Sequence, residues 1–492
     1  MAHTNLGDLV GAPRGGVIQF RGVPYAEPPV GALSFAPPQA ISPWSGIRDA
    51  TGHGPIAVQS PSRLRNVMGD FSRPISEDCL TLTITTPAAD SGSRPVLVFL
   101  HGGAFVSGAG SLDWYDGTVL SSEGDMVVVT VNYRLGAYGF LCQPGVSAGS
   151  LGVDDMVAAL TWVGTYIGAF GGDPGSVTVM GQSAGAHAIM CMLTRPDARR
   201  LFKRAILQSA PAGLPPFTTE AATAIGDQLL GFLGMAKGSV TAQTLEDVPH
   251  EKMLEATGLL MRSTARFGQI APPFMPVYDE LSLVDTFIER AGAGAGAAGI
   301  DVIIGTTRDE SHAFFVGNPQ MQNPDPGLVE GFFAGLTGRT DSIELYRQLR
   351  PGGGVMDLLS AVAGDYATVF PSLRLAERVG AAGAKAWVYQ FDWAPLGSPF
   401  KACHCIELPF VFGNRAQWAD APMIRNADPE IFDGISAAMR TAWISFVRTG
   451  QPAADGYWPT YDVSGRQTMR FDAVSGPVGD LAGVAWRGNL DA

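Results

Sequence analysis

Short apolar runs rich in β-branched residues and bounded by Gly, Pro and Asp recur along the chain. They are Pro95–Leu100 (PVLVFL), Met126–Val131 (MVVVTV), Val177–Met180 (VTVM), Ala205–Leu207, Asp301–Ile304 (DVII) and Ala386–Phe391 (AWVYQF). Unbroken apolarity over so short a run, in place of alternation, predicts strands buried on both faces of a sheet. Val153–Phe170 is long and periodic enough for a helix, with Asp154 and Asp155 at its N-terminal end, where carboxylates suit the helix dipole. Strand, helix, strand at this spacing predicts a parallel βαβ unit. Gly16–Phe20 and Leu80–Ile84 alternate more strictly and predict an antiparallel start. The expected class is therefore α/β, with a mostly parallel central sheet and helices on both faces. From about Pro211 to Pro276 the pattern is helical, notably over Ala221–Leu233, with no convincing strand. This predicts a helical cap over the carboxyl edge of the sheet, the edge at which such sheets bind ligands. Ala291–Gly299 (AGAGAGAAG) is of low complexity and predicts a flexible surface connection.

Composition narrows the function classes. Hydrophobic residues make up 46% of the 492, which excludes global disorder. The 33 Lys+Arg against 46 Asp+Glu leave a net charge of −13, so there is no basic surface for nucleic acid. Only 16% of residues are charged, while Gly numbers 62 and Pro 35, a composition of turns and close backbone approaches, unlike that of a coiled coil. Five cysteines, irregularly spaced, do not make a disulfide scaffold and predict thiols in a reducing compartment. The N-terminal stretch has no basic region leading into an apolar one, and no apolar run of about 18 residues follows. A cytoplasmic protein with no membrane partner is expected. Cys403-His404-Cys405 lacks the C-x₂-C spacing of a zinc site, so no metal is expected.

Two segments match G-x-S-x-G, in which glycines permit a sharp strand-to-helix turn that exposes a serine. In a chain so rich in Gly, context decides between them. Gly145–Gly149 follows Gln143-Pro144 with no strand before it, so Ser147 reads as a loop serine. Gly181-Gln182-Ser183-Ala184-Gly185 follows VTVM directly and opens an apolar run compatible with a helix. Ser183 is the candidate nucleophile. A serine nucleophile needs N–H donors for the developing oxyanion. The residue after it, Ala184, and the loop His101-Gly102-Gly103-Ala104-Phe105 after PVLVFL supply candidates in Ala184, Gly102 and Gly103, with His101 bracing the loop. A base must lie downstream in this type of fold, which leaves His187, His250, His312 and His404. His187 lies along the elbow helix and His250 at an exposed helix start. His404 follows a late strand by a loop and is best placed, with His312 next. After DVII, the loop GTTRDES offers Asp309 and Glu310 as the acid, and chemistry alone does not separate them. Phe105, Phe217, Phe274, Phe314, Phe315 and Phe410 flank the motif loops and are candidates for an apolar pocket or for plain core.

The segments FRGVPYAEPPVG (20–31), SEDCLTL (76–82), HGGAF (101–105), VNYRLGAYGF (131–140), FGGDP (170–174), VTVMGQSAGA (177–186), FKRAILQSA (202–210), IIGTTRDES (303–311), CHCIELPFVFG (403–413) and TAWISFVRTGQP (441–452) together resemble the type-B carboxylesterase/lipase family, the cholinesterase-like branch of the α/β-hydrolases. The likeness runs over nearly the whole chain and is most similar to the bacterial p-nitrobenzyl-esterase-like and phenmedipham-hydrolase-like subgroup. It implies one α/β-hydrolase domain over residues 1–492 with helical caps near 211–276 and 312–380, no cofactor, and hydrolysis of small or aryl esters through an acyl-enzyme. Its motif assigns His404 as base, Glu310 as acid and Ser209 as a supporting serine. The subgroup brings in carbamates and anilides as alternative substrates, and the scaffold also serves as a binding module when triad residues are lost. The chain acts as a monomer or homodimer on a small ester and water in this reading. It departs from the family in having Gln182 where Glu often precedes the nucleophile, which removes a negative charge beside the serine. The segment that in the family carries the partner of Cys79, GPIAVQS (54–60), has no cysteine, so Cys79 is expected to be free.

Overall fold

The computed structural model describes residues 1–481. Among these, eleven strands make the main sheet. In chain order they are β1 (Ala12–Arg14), β2 (Val17–Pro24), β3 (Thr81–Thr86), β4 (Arg94–Leu100), β5 (Val127–Val131), β6 (Gly172–Gln182), β7 (Arg204–Gln208), β8 (Asp301–Thr307), β9 (Ala386–Phe391), β10 (Gln467–Phe471) and β11 (Gly476–Gly479). In space they run β11-β10-β9-β8-β7-β6-β4-β5-β3-β2-β1. The seven strands from β5 to β10 in this order pair parallel. β1, β2 and β3 form the antiparallel start, and β11 closes the far edge antiparallel. Every predicted apolar run lies in or overlaps a parallel strand. The third is longer than its apolar core because β6 continues to Gln182, the residue before Ser183.

The alternation of side chains across each strand divides the core in two. Val96, Val98 and Leu100 of β4 pack in one cluster with Met156 and Leu160 of α1 (Leu151–Tyr166) and Ile189 of α2 (Ala184–Thr194). Leu97 and Phe99 point the other way, towards Phe432, Met439 and Trp443 of the long C-terminal helix Pro429–Thr449. Helices thus cover both faces, which explains why these strands read as unbroken apolar runs. The helix expected over 153–170 is α1 followed by a tighter turn, Ile167–Phe170.

Residues 211–276 contain α3 (Thr219–Phe232) and α4 (His250–Thr264), joined by a connection that includes the short helix Ala242–Glu246. The stretch 312–380 is also helical, and Phe315, Phe333, Tyr346 and Leu359 form a small core of their own within it. One expectation is overturned. Ala291–Gly299 is not a flexible connection, since Val284–Ala298 is the helix α5, with Ala291, Gly292, Gly294 and Ala295 buried. Its small residues are the condition for close packing, as described below.

Candidate active site

The carboxyl ends of β4, β6, β8 and β9 deliver the candidate groups to one place. β6 ends at Gln182, the chain turns at Ser183 and α2 begins at Ala184. Ser183 has φ +55° and ψ −119°, a conformation that non-glycine residues avoid and that holds the hydroxyl out from the turn. The turn packs tightly against β4: a Cβ on Gly185 would stand 2.1 Å from the Leu100 carbonyl oxygen. That distance is the physical reason for the second glycine of the motif. Ser147, the other match, lies in a two-residue pairing with Cys142–Gln143.

After β4 the loop His101–Phe105 runs beside the serine, as a Cβ on Gly102 would be 3.0 Å from Ser183 Cβ. Gly103 has φ +116°, and a Cβ there would meet the Ser107 carbonyl oxygen at 1.9 Å, so only glycine fits. The amides of Gly102, Gly103 and Ala184 donate to no backbone acceptor among the described residues. His101 is buried, stacks on Tyr133 and sets Nδ1 2.7 Å from the Gly102 carbonyl, the bracing role expected of it. Burial lowers its pKa to about 4.

After β8, Glu310 accepts the Thr307 amide on Oε1 at 2.8 Å and lies 2.6 Å from His404 Nδ1 through Oε2. Glu310 and His404 are both buried. Burial works against charge on the imidazole, but the Cys405 sulfur and the Glu310 carboxylate beside it outweigh that and raise its pKa well above the ordinary value. Asp309 is engaged by Arg308 at 3.1 Å instead. The far nitrogen of His404, Nε2, accepts from Gln182 Nε2 at 3.3 Å, and no hydrogen bond joins it to Ser183 among the described residues. In the neutral ring, accepting there requires the proton on Nδ1, the tautomer a general base needs.

The remaining histidines are occupied elsewhere. His187 is buried with Nε2 2.8 Å from the Leu214 carbonyl, and His312 is buried with Nε2 2.8 Å from that of Pro399. His250 starts α4 and pairs with Glu77 at 3.1 Å. Ser209 is buried with φ +50°, but its hydroxyl has no partner, so the supporting bond to Glu310 or His404 is not made. Glu407, one turn beyond His404 in the segment CHCIELPFVFG, has no sequence pattern that marks a role. It is wholly buried and accepts from Gln208 at 3.2 Å.

Ser183, His404, Gln182, Gly102 and Gly103 line one narrow cavity of about 50 Å³. Of the six phenylalanines proposed for it, Phe314 alone is in the lining. Phe105 is core, tilted on Phe140. Phe217 packs on Cys142, Ala222 and Val277, and Phe274 joins the core shared with α3 and α4. Phe315 belongs to the small core of the 312–380 segment, and Phe410 is stacked on Phe432. Proximity in sequence to a motif loop does not decide which way a ring points. Phe71, Leu112, Trp114 and Tyr115 line the cavity instead. They come from segments whose pattern carried no signal of the site. A larger cleft of about 740 Å³, between Arg14 and Ala427, includes neither Ser183 nor His404.

The carboxylesterase family model matches residues 1–478. Phenmedipham hydrolase of Pseudarthrobacter oxydans is 38% identical over 475 residues, covering 94% of this chain and 92% of its own. The "Probable N-octanoylanthranilate hydrolase AqdA2" of Rhodococcus erythropolis is 40% identical over 454 residues, covering 92% and 93%. The crystal structure of the Geobacillus stearothermophilus carboxylesterase EST55 superposes with a TM-score of 0.86 at 34% identity, covering 99% of each chain. A nucleophile turn and a buried acid–imidazole pair at the carboxyl edge of a mostly parallel sheet accord with that likeness: the chain belongs to the carboxylesterase family, with the α/β-hydrolase fold and the activity of a carboxylic ester hydrolase.

Proposed function

We propose that Ser183, His404 and Glu310 act as a catalytic triad and that the amides of Gly102, Gly103 and Ala184 hold the oxyanion. Ser183 Oγ attacks the ester carbonyl carbon while its proton passes to His404 Nε2, from which the Gln182 amide withdraws. The carbonyl π pair moves onto oxygen, where the three free N–H groups receive it. On collapse the carbon–alkoxide bond breaks, and the imidazolium returns its proton to the leaving oxygen. Water, giving a proton to the same nitrogen, then attacks the acyl carbon and releases the acid and Ser183. Glu310 keeps the imidazole in the required tautomer and stabilises the cation formed. The observation that carries this reading is the 2.6 Å Glu310–His404 contact in the same cavity as a serine held at positive φ.

Small or aryl esters are the substrates of this reading. A carbamate or anilide as the main substrate is the second, favoured by the N-acyl aryl compound in the name of one relative. The helical segments 211–276 and 312–380 serve as caps within a single domain, and the site is complete in one chain, so a monomer or a homodimer suffices. The five cysteines are buried free thiols, which supports a cytoplasmic location. No helix of the described residues is long and apolar enough to cross a membrane.

The test is kcat/KM for p-nitrophenyl butyrate with wild type and Ser183→Ala. Loss of several orders of magnitude is expected, on the order of 10⁶ for a nucleophile of this kind. Turnover near that of wild type would end the assignment. Matched ester and anilide turnover decides between the two substrate readings.

A further inference from the structure

The cavity that holds Ser183 and His404 is lined by one permanently charged side chain, Arg63, and by no aspartate or glutamate among the described residues. Arg63 stands at its mouth, exposed to solvent. It donates to the Ile270 carbonyl at 3.0 Å and its guanidinium carbon lies 5.5 Å from the centre of the Phe314 ring. It has no carboxylate partner among the described residues. A guanidinium remains protonated at any working pH. Two other arginines packed into the molecule have carboxylate partners, Arg134 with Asp155 and Arg195 with Asp154. One carbonyl uses one of five N–H groups, and the rest of this planar fork matches a carboxylate.

Position indicates which half of the substrate would carry that carboxylate. Phe314, under the guanidinium, is also 5.4 Å from the His404 ring. In the proposed mechanism His404 hands its proton to the leaving group, so the leaving group departs along the side on which Arg63 stands. Gln182, neutral where a glutamate would repel an anion, lines the same cavity beside His404.

We propose that the leaving group carries a carboxylate bound by Arg63, so that the substrate is an acylated hydroxy- or amino-aryl carboxylic acid. This rests on the triad reading above, and the test separates the two. The substrates are 3-(butanoyloxy)benzoate and its neutral isostere 3-(butanoyloxy)benzamide. The meta placement keeps the carboxylate from reaching its own ester. The quantity read is the ratio of their kcat/KM values. In wild type the benzoate is expected to be favoured by about tenfold, the scale of one charge-assisted hydrogen-bonded pair. Arg63→Gln should bring the ratio near unity, chiefly through KM, and Arg63→Lys should recover part of it. Inhibition by 3-hydroxybenzoate should weaken in Arg63→Gln in parallel. A wild type that hydrolyses the benzamide as well as the benzoate, or a ratio unmoved by Arg63→Gln, overturns the carboxylate while leaving the triad standing. A wild type that hydrolyses p-nitrophenyl butyrate but neither of these overturns the carboxylate alone, and one that hydrolyses none of the three overturns both.

Discussion

Glu407 shows how burial sets the chemistry of a single side chain. Desolvation, and after it the charge of Glu310, pushes its pKa from the ordinary 4.5 up to about 7. A carboxyl whose pKa is raised on folding contributes fully to stability below its unfolded pKa, and that contribution is lost as pH rises towards the folded value. The loss therefore runs between about 4.5 and about 7, and amounts to on the order of 3 kcal/mol. Glu407→Gln removes the titration while keeping an acceptor for Gln208. Its Tm relative to wild type is expected to rise between pH 5 and pH 8, and an equal difference at both would refute the buried charge. Gly103 makes a second test at this scale. With φ +116° and the Ser107 carbonyl oxygen where a Cβ would go, Gly103→Ala must displace the loop that carries two of the proposed oxyanion donors. A fall in kcat of roughly 100–1,000-fold is expected, and a variant of ordinary activity would remove this loop from the mechanism. The role of Gly103 is legible in its Gly-rich loop, whereas that of Glu407 is not. Glu407 looked like any motif glutamate, since burial is a property of its neighbours.

Among the elements, the parallel strands were legible because helices cover both sheet faces, leaving no polar position to interrupt the pattern. β1 and β11 are short edge strands and β10 lies one strand in from the edge, and their pattern does not rise above that of loops. The low-complexity segment failed for a different reason. Alternating Ala and Gly show no contrast between apolar and polar sides, yet α5 is pressed against its neighbours on both flanks. A Cβ on Gly294 would stand 1.9 Å from the Leu193 carbonyl oxygen at the end of α2, and one on Gly296 2.3 Å from that of Ala382. Gly294→Ala gains about 1 kcal/mol of helix propensity and must push α5 from α2, at about 1–3 kcal/mol for overpacking. A net fall in Tm is expected, against a change within about 0.5 kcal/mol for Ala293→Glu on the exposed side. Stabilisation by Gly294→Ala would mean that α5 does not sit this close.

At the scale of the whole molecule, a buried ion pair ties the loop after β5 to α1. Arg134 Nη2 and Nε donate to the two Asp155 oxygens at 2.7 and 2.8 Å, and the Arg134 amide adds a third bond at 3.1 Å. Both side chains are buried. Removing one partner strands the other charge, so Asp155→Asn should cost about 3–5 kcal/mol in urea unfolding. Replacing both by apolar residues of similar volume should cost less. If the single variant were the milder, the pair would not be as dry as its burial indicates. The sequence marked Asp155 only as a helix-start carboxylate, because its partner comes from the loop before α1 and nothing local links the two.

Sequence alone determined the parallel sheet, the turn at Ser183, the Gly-rich loop after β4 and, with the family likeness, the choice of Glu310 and His404. These features are written in contiguous residues, where strand pattern, turn glycines and motif order act over short spans. Tertiary structure alone decided that Phe314, and not the other five phenylalanines, reaches the cavity. It also decided that Gln182 occupies the free nitrogen of His404, that Ser209 is left without a partner, and that Arg63 stands uncompensated at the mouth. Each of these depends on which distant segments meet at the carboxyl edge of the sheet, and so on packing that no local pattern encodes.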